Sequence, residues 1–233
     1  MFKNSMHAVV WKAMSNPEPV ISTTELHALR IDYRQGTLDA SELAADPFVQ
    51  FAAWFEHAKS ANLREPNAMT LATVDADGQP SARVVLLKDF DPRGFTFFGN
   101  YGSRKARALD SQPKASLLFF WDALERQVRV EGTVAKLPRE ESASYFSIRP
   151  RGAQVGAWAS RQSEIVDSRA ALEANVKEIE TRFPDVVPIP DFWGGWRLVP
   201  TALEFWQGGP GRLHDRFRYT KTDTRWTLDR LAP

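Results

Sequence analysis

Arg212, His214 and Arg216 stand at alternate positions directly after the run Gly208-Gly209-Pro210-Gly211, and Leu203-Glu204-Phe205-Trp206-Gln207 leads into that run. Side chains alternate faces along a strand, so this spacing predicts all three groups on one face. Two guanidiniums and an imidazole suit an anionic ligand, because Arg offers a bidentate fork and His titrates near neutral pH. A solvated edge strand after a glycine turn would read the same way. Arg104 and Lys105 follow Ser103 in the first turn of a predicted helix, where the helix dipole favours acidic residues. A phosphate bound at the helix N-terminus resolves that conflict. Tyr145 and Arg149 share one face of a helix end, where a phenol and a guanidinium can hold a phosphate monoester together. Positive charge there also suits the helix C-terminus by itself. Arg83 and Lys88 close the ends of the apolar run Val84-Val85-Leu86-Leu87, and their odd offset puts them on opposite faces. They serve two different ligands or, in the plainer reading, a surface strand whose charged ends reach water.

The elements that must position these groups follow from periodicity. Thr23 or Thr24 caps a helix running to about Gln35, with Gly36 as its stop. Asp46-Pro47 opens a second helix with Phe48, Phe51, Ala52, Phe55 and Ala58 on one face and Gln50, Glu56 and Lys59 opposite. From Ala68 the period becomes two. Ala68 to Val74, the turn Asp75-Ala76-Asp77-Gly78 and Pro80 to Phe90 form a predicted hairpin. The turn Asp91-Pro92-Arg93-Gly94 leads into Phe95 to Phe98, and Ser103 caps a helix to about Asp110. Ala115 to Trp121 and Gln127 to Lys136 read as strands, and Pro138 to Ile148 and Ser168 to Arg182 as helices. Gly195 to Val199, Ala202 to Gln207 and Asp215 to Thr220, the last paired with Arg225 to Leu231, close the chain as strands. Short strands joined by tight turns favour an antiparallel barrel over a parallel α/β fold.

Composition excludes several chemistries. The 233 residues contain no cysteine, which removes disulfides, thiolate catalysis and Cys-ligated metal centres. That absence is compatible with a reducing cytoplasm. No His, Asp and Glu group has metal-ligand spacing, so no metal is predicted, and His7, His27 and His57 read as surface or satisfied helix residues. A net charge of +1 gives no reason to invoke nucleic acid or a membrane surface. No apolar run approaches the roughly 20 residues of a membrane helix. Eight Trp and fifteen Phe exceed what the core needs and suggest a planar ligand or an extensive interface. Residues 1–22 read as a disordered extension and residues 23–233 as one domain, with Pro184 to Pro190 a loop inside it.

The Glu-Phe-Trp-Gln run, its four-residue spacer and Arg-Leu-His-Asp-Arg together resemble the signature of the pyridoxamine 5'-phosphate oxidase family, FMN enzymes that make pyridoxal 5'-phosphate in vitamin B6 metabolism. The resemblance runs from about Leu29 to Pro233. It implies a mainly β fold with peripheral helices (α+β), an FMN-binding split barrel of antiparallel Greek-key form. It also implies a cytoplasmic homodimer with FMN in the groove between subunits. The reaction implied is oxidation of pyridoxamine or pyridoxine 5'-phosphate, with hydride leaving C4' for the flavin and dioxygen becoming hydrogen peroxide.

By this resemblance Arg83, Val84, Val85, Leu86, Leu87 and Lys88 lie along FMN, with Phe98 and Gly99 beside it. Arg104 and Lys105 hold its phosphate, and Gln127, Gln162, Ser163, Trp206 and Arg216 complete the cofactor site. Gln127 would hydrogen-bond the flavin edge, although a cross-strand polar pair is its ordinary use. Without the resemblance, Ala157 to Ser163 would pass as a capped loop. Lys88, Tyr145 and Arg149, with Ala153 nearby, would anchor the substrate phosphate. Arg212 and His214, with Leu213 between them, would meet the pyridine ring as the catalytic pair. Arg30 and Tyr33 belong to a segment that folds over the substrate. Two positions depart from the family pattern: Gly99 stands where a Thr hydroxyl is usual, and Ala153 where many members carry Ser. Each lost neutral hydrogen bond costs roughly 0.5–1.5 kcal/mol, which predicts weakened binding rather than a dead site. Another split-barrel flavoenzyme, or a carrier that binds FMN or pyridoxal phosphate without turnover, remains open.

Overall fold

The computed structural model describes residues 23–29 and 31–233. The extension at residues 1–22, His7 within it, and Arg30 lie outside them. Before Tyr33 stands one short helix, α1 (Thr23–Ala28), with Leu26, Leu29 and Ile31 exposed. It ends well short of the expected Gln35. Further along, the amides of Arg34 and Gln35 donate to the Glu125 carboxylate and that of Leu38 to Asp215, so side chains take the place of i−4 carbonyls.

The remainder is built on one antiparallel sheet. Its strands are β1 (Ala68–Val74), β2 (Pro80–Leu86), β3 (Asp89–Asp91), β4 (Gly94–Asn100), β5 (Lys114–Trp121), β6 (Arg126–Lys136), β7 (Trp193–Gln207), β8 (Asp215–Lys221) and β9 (Trp226–Leu231). The order is β2-β1-β5-β6-β7-β4-β3, and β8 and β9 extend from β7. The two ends meet where the chain leaves β2: Leu87 N donates to Asn67 O and Lys88 N to Thr96 O, which closes a barrel. The strand expected to run from Pro80 to Phe90 is therefore interrupted at this corner.

The two strands expected on either side of Pro200 are one strand, β7. Its first half pairs with β4 and its second with β8, while β6 follows it throughout. The register slips at Thr201, between the pairs Gly132↔Pro200 and Glu131↔Ala202. Proline lacks a ladder N–H, and a bulge absorbs it without ending the strand. Gly132 permits the close approach, since a Cβ there would sit 2.1 Å from the Val199 carbonyl oxygen.

Helix α2 (Pro47–Ser60) plugs the barrel, capped by Asp46, whose carboxylate accepts from Phe48 N. Phe51 is fully buried against the rings of Phe90, Phe95 and Phe119, and truncating such a side chain costs about 3–5 kcal/mol. Gln50, expected on the solvent face, is buried and accepts from Ala44 N. Much of the aromatic surplus is absorbed by this core: Trp121, Trp196, Phe95, Phe97, Phe119, Phe205 and Phe217 are buried.

Helix α3 (Arg104–Ser111) starts at its Ser103 cap as expected. Helices α4 (Arg139–Ser147), α5 (Arg151–Ala159) and α6 (Arg169–Arg182) pack together through Phe146, Val155, Ala159, Ile179 and Trp193. The sequence reading placed no helix at α5. Gly152 and Gly156 are weak helix formers, and tertiary packing of Val155 and Ala159 overrides them.

Candidate functional site

A cavity of about 690 Å³ opens between β2, β4, α4 and α5, and it gathers Val84, Val85, Leu86, Lys88, Phe98, Gly99, Lys105, Tyr145, Arg149, Ala153 and Gln162 from their separate places in the chain. One wall is a stack. The Phe98 ring lies 4.0 Å from Tyr145 and 5.5 Å from Trp193, and the Arg149 guanidinium sits 4.6 Å above Trp193. Burial pulls Arg149 below its ordinary range, and one of its terminal nitrogens is buried without a hydrogen-bond partner.

Lys105 is buried at 7% exposure, and among the described residues no carboxylate lines the cavity around its ammonium. Its Nζ donates to Gln162 Oε1 at 2.6 Å and to Ser103 Oγ at 3.1 Å. Burial first, and then the charge of Arg83, push it down to about 8. A Cβ at position 99 would lie 2.8 Å from this Nζ, so the lysine end occupies the space that a Thr side chain would take. The departure at Gly99 thus exchanges a neutral hydroxyl for closer access by a cation.

The remaining cofactor-side candidates divide. Arg83 lies outside the cavity lining, donating to Leu71 O, Thr73 Oγ1 and Ser81 Oγ, all neutral acceptors. Leu87 turns into the barrel core. Arg104 pairs with Asp75 at 2.6 Å on the surface, and Ser163 lines a separate cleft beside α6.

A second, smaller cavity of about 220 Å³ holds Gln127, Trp206 and Arg216 with Arg129 and Glu204. Register explains the grouping: Gln127, Trp206 and Arg216 align across β6, β7 and β8, and Arg129 and Glu204 form the adjacent pair. Glu204 is buried between two guanidiniums, with Arg216 at 2.9 Å on one oxygen and Arg129 on the other.

The expected face of Arg212, His214 and Arg216 is not a strand face. Pro210–Arg212 forms a single 3-10 turn, Arg212 has φ +65°, and β8 begins only at Asp215. Gly211 and the positive φ at Arg212 break the alternation that the spacing implied. Arg212 and Leu213 are exposed at this turn. His214 instead joins Tyr33 and Trp206, with ring centroids 5.7 and 4.8 Å away, and Tyr33 lies 5.6 Å from Trp206. Gly208 is required here, since a Cβ would fall 2.7 Å from the Tyr33 ring. His57, read as a helix-surface residue, meets Arg126 through Nδ1 at 2.9 Å. Trp193 escaped the sequence reading, although an aromatic before Gly194-Gly195 resembles the run after Trp206. Glu204 escaped because its pairing with Arg216 depends on the register of β7 and β8 and its other partner, Arg129, is 75 residues away.

The pattern of the family described as pyridoxamine 5'-phosphate oxidase matches residues 55–183, and that described as the pyridoxine 5'-phosphate oxidase C-terminal dimerisation region matches residues 193–233. The chain belongs to the pyridoxamine 5'-phosphate oxidase family. A Burkholderia vietnamiensis protein named pyridoxine/pyridoxamine 5'-phosphate oxidase is 55% identical over 90% of this chain and all of its own length. A Burkholderia lata protein of the same name is 54% identical over the same shares. Among solved structures, PhzG from Burkholderia lata, in complex with tetrahydrophenazine-1-carboxylic acid, is 31% identical with a TM-score of 0.79, covering 85% of this chain and all of its own. An FMN-binding, pyridoxamine 5'-phosphate oxidase-related protein from Nostoc punctiforme shares the fold at a TM-score of 0.66 and 17% identity, over 82% of this chain and all of its own.

The fold is the split barrel of this family, and its cofactor is FMN. The donor set suits that group. A buried lysine without a carboxylate, and a guanidinium with an unpaired buried nitrogen, are groups that an anion satisfies. Among the described residues no helix is long and apolar enough to cross a membrane.

Proposed function

We propose that the protein is a homodimeric oxidase that converts pyridoxamine 5'-phosphate and pyridoxine 5'-phosphate to pyridoxal 5'-phosphate. The observation that carries this reading is the cavity in which Lys88, Lys105 and Arg149 gather with no carboxylate among the described residues of its lining. Lys105, with Arg83 and Arg104 close by, suits the FMN phosphate. Lys88, Tyr145 and Arg149 suit the substrate phosphate, through charge-assisted hydrogen bonds that fix its position. FMN, when bound, would supply the two-electron chemistry that couples oxidation of the substrate carbon to reduction of dioxygen to hydrogen peroxide. With the amine substrate, water replaces nitrogen at that carbon and ammonia leaves.

The protein's part is to hold and shield. Gly209 N donates to His214 Nδ1 at 3.1 Å, which leaves Nε2 to carry the proton of the neutral ring and donate it to a substrate oxygen. Arg212, exposed on its turn, would cover the pyridine ring. Gln127, Trp206 and Arg216 form a second half-site, and the matched C-terminal dimerisation region supports its joining the first cavity across two subunits.

Anaerobic mixing of the FMN-loaded protein with pyridoxamine 5'-phosphate tests the reading. Bleaching of the flavin, reversed by air with pyridoxal phosphate and peroxide formed, is the expected result. Bound FMN that never bleaches overturns it in favour of a carrier. PhzG's likeness makes an aromatic carboxylic acid the second substrate class, since the same cations suit a carboxylate. Bleaching by a reduced phenazine carboxylic acid alone would favour that class.

A further inference from the structure

The Tyr33–Trp206–His214 cluster is assembled from distant stretches of chain, and Glu125 touches the backbone of two of them. Glu125 sits at the turn before β6 in the left-handed region, at φ 52° and ψ 40°, where a non-glycine residue is uncommon. It is 9% exposed. Its Oε2 accepts from Arg34 N at 2.7 Å and from Gln35 N at 2.8 Å, directly after Tyr33. Its main-chain carbonyl accepts from Gly208 N at 2.8 Å, and Gly208 is the residue on which the Tyr33 ring rests. Side chain and backbone of one residue therefore grip both sides of the cluster. Asp215, next to His214, makes a second tie by accepting from Leu38 N at 3.0 Å.

We propose that Glu125 is a positioning residue: it clasps the 33–38 segment to the bend after β7, so that Tyr33, Trp206 and His214 form one wall for the substrate ring. This rests on the proposed reaction for the identity of that ring, but the clasp itself does not. A carboxylate serves here because two backbone N–H groups converge on one oxygen, and an ionised acceptor makes the stronger bonds. Among the described residues the Glu125 carboxylate accepts from Arg34 N and Gln35 N, so its effect passes through the segment bearing Tyr33.

The experiment uses FMN-loaded Glu125→Ala, Glu125→Gln, Tyr33→Ala and the Glu125→Ala/Tyr33→Ala double variant. Hydrogen exchange is followed at residues 34–38. In Glu125→Ala it should accelerate at least tenfold there, with β5 and β6 unchanged, and Glu125→Gln should restore most of the protection. KM for pyridoxamine 5'-phosphate should rise about five- to tenfold with kcat changed less than twofold. The double variant should be no worse than Tyr33→Ala alone, because both substitutions disable the same wall. Unchanged exchange at residues 34–38, or acceleration spread over the whole barrel, overturns the clasp. Local acceleration with multiplying kinetic effects overturns its action through Tyr33. If the unaltered protein fails to oxidise pyridoxamine phosphate, the proposed reaction falls, and the exchange data still decide the clasp.

Discussion

The cavity beside α5 and the face formed by β6, β7 and β8 both carry arginine or lysine, in opposite circumstances. In the cavity, the Lys105 ammonium donates to a serine hydroxyl and a glutamine oxygen, both neutral, and Arg149 keeps a buried nitrogen unpaired. On the sheet face, Glu204 lies between Arg129 and Arg216, and Asp215 pairs with Arg230 at 2.6 Å. A buried cation without a counter-charge is costly unless a ligand supplies one, whereas a paired cation is already satisfied. The first region is therefore built for an anion that arrives from outside. The second is built to keep its own geometry and present Gln127 and Trp206 in register.

Five measurements break or sharpen this contrast. Arg149→Ala carries the largest expected effect, a loss of about 2–3 kcal/mol or about 30- to 150-fold in kcat/KM for pyridoxamine phosphate, with FMN retained. Loss of FMN with an unchanged KM would move Arg149 to the cofactor side. Lys105→Met should weaken FMN binding about tenfold or more, since a charged hydrogen bond of about 1.5–3 kcal/mol is lost; flavin fluorescence during titration of the apoprotein reads it.

Lys105 also predicts two opposed pH trends. Its ammonium is held at about 8 in the fold against an ordinary 10.5. Between those values the unfolded chain binds more protons, so this group makes the apoprotein more stable as pH rises. Below about 8 both states are charged and the burial cost is fully present. FMN affinity should move the other way, falling above about pH 8 as the cation is lost. Both trends should vanish in Lys105→Met, and FMN affinity that stays flat to pH 10 in the unaltered protein would remove Lys105 from the phosphate site.

On the paired face, Glu204→Gln should lower stability by about 1–2 kcal/mol, a melting shift of roughly 3–6 °C. That is less than for a fully buried pair, because Arg129 and Arg216 are 40% and 26% exposed. An unchanged melting temperature with lost FMN would make Glu204 part of the ligand site. The smallest effect is Ala153→Ser, where one added neutral hydrogen bond of about 0.5–1.5 kcal/mol should lower KM two- to tenfold. A higher KM would mean that the cavity wall has no room for the hydroxyl.

Local chemistry was legible before the structure. The Asp46 and Ser103 caps, the turn at Gly78 and the strands from Ala68 to Lys136, except the one broken after Leu86, stand close to their expected bounds, because caps and period two act within a few residues. The cationic and aromatic types at Lys88, Lys105, Tyr145 and Arg149 were likewise readable, and the cavity unites all four. The misses have long-range causes. The helix expected to reach Gln35 gives way to carboxylates some 90 residues on, α5 forms on the packing of Val155 and Ala159, and Pro200 is carried through β7 by a bulge.

The sequence by itself determined which residues could bind anions and rings, since those are properties of side-chain type and short spacing. Only the tertiary structure decided which cations stay unpaired. Lys105 and Arg104 are neighbours in the chain, yet one is buried against Gln162 and the other faces Asp75 across a surface ion pair. Burial and counter-charges are set by strands that meet from far apart, and that is what separates a binding cation from a structural one.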